Sequence, residues 1–96
     1  MTINPDLKKL KPKIVKILKK HGIKKAGVFG SYARGDQKKN SDIDILVKPR
    51  KGMGFEFAGM QMELSEELGM RVDLVTYNGL SPYIKEKVLK QEVRII

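Results

Sequence analysis

The fold is indicated most clearly by residues 26–47, which read AGVFGSYARGDQKKNSDIDILV. It begins with a short apolar run, Ala26 to Phe29, that predicts a buried strand. Gly30 and Ser31 come next and predict a sharp turn into a brief helix, since glycine is the usual residue where a strand ends abruptly. After a polar loop, residues 42–47 alternate as a second strand. The stretch therefore predicts two strands connected through a glycine turn, a short helix and a loop.

The second predicted strand carries two acidic residues on one face. Successive side chains on a strand alternate, which predicts two faces: Ile43, Ile45 and Val47 on one side, and Asp42, Asp44 and Leu46 on the other. Two carboxylates held close together repel each other unless a proton or a metal ion offsets the charge. Mg²⁺ prefers oxygen ligands. The sequence therefore predicts a magnesium site on the face that carries Asp42 and Asp44.

A third acidic residue, Asp73, lies in an apolar segment that predicts a third strand over residues 71–77. An unpaired carboxylate in such a strand is costly, so Asp73 is expected to have a partner. If this strand pairs beside residues 42–47, three carboxylates meet. Two metal ions roughly 3.5–4 Å apart could then clamp the attacking and leaving oxygens of a phosphoryl transfer. The alternative is that Asp73 pairs with a lysine or with Arg71.

The turn at Gly30 and Ser31 is a candidate phosphate site. Free backbone N–H groups at the start of the brief helix, together with the Ser31 hydroxyl, can hold phosphate oxygens, and Gly30 lets a phosphate approach closely. Arg34, one helical turn further on, has two interpretations at this stage. It either reaches the same phosphates or pairs with Asp36.

The flanking segments predict helices. Asn4-Pro5-Asp6 predicts the start of a first helix that runs to about His21, and Pro12 should bend or interrupt it near Lys11. Phe57 to Leu68 predicts a second helix that stops at Gly69. Ser81-Pro82 begins a last helix. Its apolar residues are expected to pack inward: Ile84, Val88 and Leu89. The segment Glu92 to Ile96 predicts a terminal strand or an extended tail, and all three tyrosines, Tyr32, Tyr77 and Tyr83, are interpreted as packing residues.

Length and composition narrow the class of protein. With 96 residues, we expect one domain spanning residues 1–96. No stretch approaches the roughly 20 apolar residues of a membrane span, which leads us to expect a cytoplasmic protein without membrane contact. The chain has no cysteine and one histidine, and this leaves carboxylates as the expected metal ligands.

The charge is strongly positive and unevenly distributed. The formal net charge is +9, and residues 1–25 hold nine lysines and one acidic residue, Asp6. Such a basic segment can attract nucleic acid, an acidic protein or a triphosphate. We favour a solvated helix face, because no aromatic residues interleave with these lysines. Nucleic acid stays open as a partner but is not favoured.

Taken together, these motifs resemble those of a known family. The segments at 30–35 (GSYARG) and 41–47 (SDIDILV) resemble the MNT-type minimal nucleotidyltransferases of the DNA polymerase beta superfamily. The resemblance continues through 72–75 (VDLV) and 80–84 (LSPYI), so it covers nearly all of the chain. It implies an α/β (α+β) fold, with a small mixed sheet flanked by helices.

The resemblance also implies roles for the site residues. Asp42 and Asp44 would be ligands of two Mg²⁺ ions, and Asp73 a further ligand near the attacking hydroxyl. Gly30 and Ser31 would hold the triphosphate of ATP. The implied reaction is an in-line attack by a substrate hydroxyl on the α-phosphorus of ATP, with pyrophosphate leaving.

Members of this family are commonly paired with HEPN-domain ribonuclease toxins. They act as antitoxins (type VII) by binding the toxin and transferring AMP from ATP to a tyrosine on it. The resemblance therefore implies a Mg-dependent protein adenylyltransferase with a HEPN toxin as partner. Three other functions stay open: a transferase acting on RNA or a small molecule, a non-catalytic toxin-binding module, and a plain nucleic-acid-binding module.

Overall fold

Helices and strands alternate along the chain in the predicted order. The computed structural model describes residues 4–96. In chain order the elements are α1 (Pro5–Lys20), β1 (Ala26–Phe29), α2 (Ser31–Arg34), β2 (Ile43–Val47), α3 (Glu56–Leu68), β3 (Val72–Thr76), a 3₁₀ turn (Tyr77–Gly79), α4 (Pro82–Gln91) and β4 (Val93–Arg94). Asp42 lies one residue before β2 rather than within it.

The four strands form one mixed sheet in the order β3-β2-β1-β4. Strand β1 is antiparallel to both of its neighbours, β2 and β4. Strands β2 and β3 are parallel, and α3 forms the crossover between them. The predicted small mixed sheet flanked by helices is confirmed, and so is the pairing of the third strand beside the second. The terminal segment forms a short edge strand rather than a tail.

Apolar side chains pack on both sides of the sheet, and the side chains of β2 are divided between its two faces as the alternation predicted. On one face Ile43, Ile45 and Val47 are fully buried in the main core, which also contains the inward residues of α1 and α3. On the other face Leu46 forms a smaller buried cluster with Leu80 and Val88. The same face of β2 carries Asp44, so α4 packs on the side of the sheet where the predicted site lies.

Helix α1 is continuous through Pro12, which corrects the expectation of a bend or break near Lys11. Proline has no N–H group and therefore leaves one backbone carbonyl in the preceding turn without its helical partner. Pro12 and Lys8 are both exposed, so water can hydrate that carbonyl. The Asn4 side chain caps the helix by accepting from the Asp6 N–H at 3.1 Å.

Helix α4 packs less of its surface than the sequence predicted. Val88 is buried as expected, but Ile84 is 48% and Leu89 40% exposed. The buried cluster beneath α4 has only three members, which is too small to cover three inward positions of the helix. Tyr32 is buried as predicted, whereas Tyr83 is 96% exposed and is not a packing residue. Within residues 4–96, no helix is long and apolar enough to cross a bilayer.

Candidate active site

Three of the predicted site residues lie in a row across neighbouring strands. The last residue of β1, Phe29, is opposite Asp44 in β2, and Asp44 is opposite Asp73 in the parallel strand β3. Adjacent strands are roughly 4.8 Å apart. The turn at Gly30 follows Phe29 directly. The sheet therefore brings this turn, Asp44 and Asp73 together at one end, although they are far apart in sequence.

Gly30 is required at the turn for two reasons. Its φ of +74° lies in the region that residues with a Cβ rarely adopt. A Cβ atom at this position would also overlap Oδ2 of Asp44. The absence of a side chain thus lets the backbone of the turn approach the Asp44 carboxylate. The sequence predicted a close approach by a phosphate here, but it did not predict the contact with Asp44.

The start of α2 presents free hydrogen-bond donors beside this carboxylate. The Gly30 carbonyl accepts from the N–H groups of Ala33 and Arg34 at 3.1 and 3.0 Å. In the described part of the chain, the N–H groups of Ser31 and Tyr32 have no acceptor. Ser31 is half-buried, and its hydroxyl lies at the same turn. Backbone N–H groups and a hydroxyl in this position can bind the oxygens of a phosphate.

The electrostatics of the site centre on Asp44. Burial of the carboxylate, together with the negative charges of Asp73 and Asp42 and a hydrogen bond with Asp73, raises the pKa of Asp44 to about 6. The guanidinium of Arg34 opposes this effect and lowers the pKa. Burial and the repulsion from the two neighbouring carboxylates together disfavour the charged form of Asp44. A divalent cation would offset this repulsion, and oxygen donors of this kind fit Mg²⁺.

The other two carboxylates are more open than predicted. Asp73 is exposed, because β3 is an edge strand and its Asp73 face is open to solvent. The prediction that Asp73 would need a partner to offset the cost of burial was therefore wrong. Arg71 pairs with Asp42 rather than with Asp73, at an Nε to Oδ2 distance of 3.8 Å. Over residues 4–96, no three acidic or histidine side chains are gathered closely enough to form a ready-made metal cluster.

Arg34 pairs with Asp36, which was one of the two contacts considered for it from the sequence. Its Nε donates to Asp36 Oδ2 at 3.1 Å, and Nη1 donates to Gln91 Oε1 at 3.4 Å. These contacts are exposed, yet the charge of Arg34 still acts on Asp44. Gln91 lies at the end of α4, 57 residues from Arg34, and no signal in the sequence predicted that contact.

Two further polar residues hold the edge strand that carries Asp73. Gln61 Nε2 donates to the Val72 carbonyl at 2.8 Å, and the Val72 N–H donates to Ser65 Oγ at 3.3 Å. Both side chains belong to α3 and lie four residues apart, on one side of the helix. Sequence reasoning missed them. Their i, i+4 spacing beside the buried Leu64 was the available signal.

Comparison with known proteins assigns the family. Residues 12–96 match the model of the family described as polymerase beta, nucleotidyltransferase. The chain therefore belongs to the polymerase beta nucleotidyltransferase family, and it is an enzyme of the nucleotidyltransferase class. This confirms the resemblance stated from the sequence motifs.

Individual relatives and solved structures match most of this chain. A predicted protein adenylyltransferase of Methanocaldococcus jannaschii is 44% identical over 92 residues, which cover 95% of this chain and 99% of the relative. The solved structure of a predicted minimal nucleotidyltransferase matches with a TM-score of 0.80 and 32% identity, over 96% of this chain and 95% of that one. A toxin-antitoxin crystal structure with AMP-PNP matches with a TM-score of 0.78 and 29% identity, over 90% of this chain and 72% of that one.

Proposed function

We propose that this chain is an antitoxin that transfers AMP from ATP to a tyrosine hydroxyl of a cognate HEPN ribonuclease toxin. The observation that carries the proposal is the alignment of Asp44 with Asp73 beside the glycine turn. The relative named as a protein adenylyltransferase supports the reaction. The toxin-antitoxin structure with AMP-PNP supports both the kind of partner and the adenine nucleotide.

The roles of the residues follow from their positions. Gly30 and Ser31 bind the triphosphate through the free N–H groups and the hydroxyl at the start of α2. Asp42 and Asp44, with Asp73, are the residues that would hold two Mg²⁺ ions, whose charge would neutralise the triphosphate. Arg34 adds positive charge near Asp44, where negative charge accumulates.

The reaction is a direct displacement. The tyrosine hydroxyl releases its proton to water as its oxygen forms a bond to the α-phosphorus, and the bond between this phosphorus and the oxygen bridging to the β-phosphate breaks. Pyrophosphate leaves and AMP stays on the tyrosine. Asp73 is the carboxylate on the exposed edge strand, so it lies on the side from which the acceptor hydroxyl enters. Positioning and charge neutralisation supply the catalysis, and no covalent intermediate with the enzyme is needed.

The openness of the site favours a large acceptor. Asp42 keeps 46% of its side-chain surface exposed, and Asp73 is exposed as well. Small-molecule sites are usually concave and bury most of their ligand. An open edge suits a hydroxyl presented on the surface of another macromolecule. We further propose that residues 1–96 act as one domain in the cytoplasm, where ATP and the toxin are available.

The test is a labelling experiment with α-labelled ATP and Mg²⁺. The purified protein is incubated with extract of its source organism, and the labelled products are treated with protease or with RNase. Label that protease removes supports protein adenylylation, and label that RNase removes moves the assignment to an RNA transferase. Asp42→Asn is the inactive variant. Glu66→Gln is the matched control, since it changes an exposed acidic residue of α3 in the same way. Equal labelling by Asp42→Asn and wild type would contradict the proposal.

A further inference from the structure

A basic cleft lies at the end of the sheet opposite the aspartates. It is formed where the chain enters β1 and leaves β2, and these two segments are joined by a hydrogen bond from the Lys48 N–H to the Lys25 carbonyl at 3.0 Å. The cleft has a volume of about 400 Å³. Its cationic lining residues are Lys24, Lys25, Lys48, Arg50 and Lys51. Within the described residues 4–96, no acidic side chain lines it.

Most of this positive charge is uncompensated. Arg50 is the exception, because it pairs with Glu56 and donates to the His21 carbonyl at 3.2 Å. Among residues 4–96, the lysines of the cleft form no ion pair with a carboxylate. Like charges gathered in one recess repel each other, and a bound anion relieves that repulsion. A ligand with several negative charges would therefore be favoured in this cleft.

A second recess of about 220 Å³ shares Lys25 and Lys48 with the cleft. The second recess adds Tyr77 and Asn78. The ammonium group of Lys25 lies over the Tyr77 ring, 4.5 Å from its centroid. The exposed Asn78 offers an amide that can both donate and accept hydrogen bonds. We call the two neighbouring recesses together the trough; the cleft supplies its cations, and the second recess adds a polar side chain.

We infer that this trough binds the phosphodiester backbone of a nucleic acid strand. An extended strand presents successive phosphates, which can contact the five cations of the cleft in turn, whereas a single compact anion reaches fewer of them. An acidic protein surface fits less well, since protein interfaces rely on buried aromatic or apolar anchors. The cleft is lined mainly by lysine and arginine side chains. RNA and DNA share the backbone chemistry.

This site is separate from the nucleotide site of the proposed reaction. Lys25 precedes β1, and Gly30 follows it, so these two residues are roughly 17 Å apart at about 3.3 Å per residue. ATP held at the Gly30 turn would therefore leave the trough accessible. The inference does not depend on which acceptor receives the nucleotide.

The test measures binding of a fluorescein-labelled single strand of roughly 12 nucleotides by fluorescence anisotropy, over a series of salt concentrations and with a chelator present. The trough variant is Lys24→Gln/Lys48→Gln/Lys51→Gln, and the control is Lys9→Gln/Lys13→Gln/Lys16→Gln on the exposed side of α1. Both remove three charges from exposed lysines. We expect the trough variant to bind at least about tenfold more weakly, with a salt slope smaller by about 2, and the control to change about twofold or less.

Several outcomes would overturn the inference. Equal losses in the two triple variants would mean diffuse attraction by the net charge, and absence of binding by the wild type would remove the site altogether. Displacement by tripolyphosphate at matched phosphate concentration would indicate a compact anion. Displacement by an acidic peptide at matched charge would indicate a protein partner. RNA and DNA strands of one sequence, compared directly, identify the source of the backbone. Thermal unfolding of each variant verifies that it is folded.

Discussion

Asp44 lies against the backbone of Gly30, so closely that a Cβ atom at position 30 would overlap the Asp44 carboxylate. The same carboxylate is opposite Asp73 in the adjacent parallel strand. The glycine turn and the acidic pair are therefore one structural unit, although they belong to different motifs in the sequence. A change at the turn should affect the carboxylate directly.

The first prediction concerns Gly30→Ala. We expect it to lower nucleotide transfer by about 100-fold or more, because the new methyl group must displace Asp44 from its position. Gly35→Ala is the matched control. Gly35 also has a positive φ, +84°, but nothing lies within 4 Å of the Cβ it would gain. Both variants should lose about 1 kcal/mol or more of stability from backbone strain. Equal activity in the two variants would show that the contact with Asp44 is unimportant.

The second prediction separates stability from activity at Asp44. The ordinary pKa of this group is 3.8, and the fold raises it to about 6. The charged carboxylate therefore destabilises the folded protein at neutral pH, and this cost grows as the pH rises from 3.8 to about 6. At pH 7 without metal, the free energy of unfolding of Asp44→Asn should exceed that of wild type by on the order of 1 kcal/mol after solvent screening. The variant should therefore unfold at a higher temperature.

The same variant should lose transfer by at least about 100-fold. Thermal unfolding in a chelator, followed by the labelling assay with Mg²⁺, measures both properties on one preparation. Glu66→Gln on α3 serves as the control for removing a charge. An Asp44→Asn protein that is less stable than wild type would contradict the repulsion described for the site.

The third prediction concerns metal ions. If Asp42 and Asp44 hold Mg²⁺, then Mg²⁺ with a non-hydrolysable ATP analogue should raise the unfolding temperature of the wild-type protein, since a ligand that binds only the folded state stabilises it. Asp42→Asn should reduce this shift, and Asp44→Asn should abolish it. Chelation should stop nucleotide transfer, and added Mg²⁺ should restore it. A full shift in both variants would place the ion elsewhere.

Much of the architecture could be predicted from the sequence because its signals are local. Alternation in residues 42–47 separates the core face from the acidic face, and Gly30 indicates the turn. Contacts that depend on distant parts of the chain could not be predicted in this way. The exposure of Asp73 follows from the position of β3 at the sheet edge, and the contact between Arg34 and Gln91 joins residues 57 positions apart. Helix periodicity predicted that Ile84 and Leu89 pack inward, but it could not show how little of the surface of α4 the sheet covers.

The last prediction concerns the only histidine of the chain. His21 follows α1, and its ring nitrogens lie 2.8 Å from Glu56 and 2.8 Å from Glu63, both on α3. Hydrogen bonds to both carboxylates raise the pKa of His21 above its ordinary 6.5. Hydrogen bonds with His21 and Arg50 lower the pKa of Glu56 below 4.5. Hydrogen bonds with Lys20 and His21 likewise lower the pKa of Glu63 below 4.5. A protonated ring can donate from both nitrogens and so joins the two helices.

The sign of the pH dependence follows from these directions. The contribution of His21 is complete below pH 6.5 and disappears as the pH rises through its folded pKa, whereas the contribution of the glutamates is complete above pH 4.5 and disappears on acidification. His21→Gln should therefore lower the unfolding temperature most between pH 4.5 and pH 6.5, and progressively less at alkaline pH. Thermal unfolding of both proteins across the pH range measures this difference. A difference that stays constant with pH would mean that His21 contributes by packing alone, and an NMR titration of the ring would then show no raised pKa.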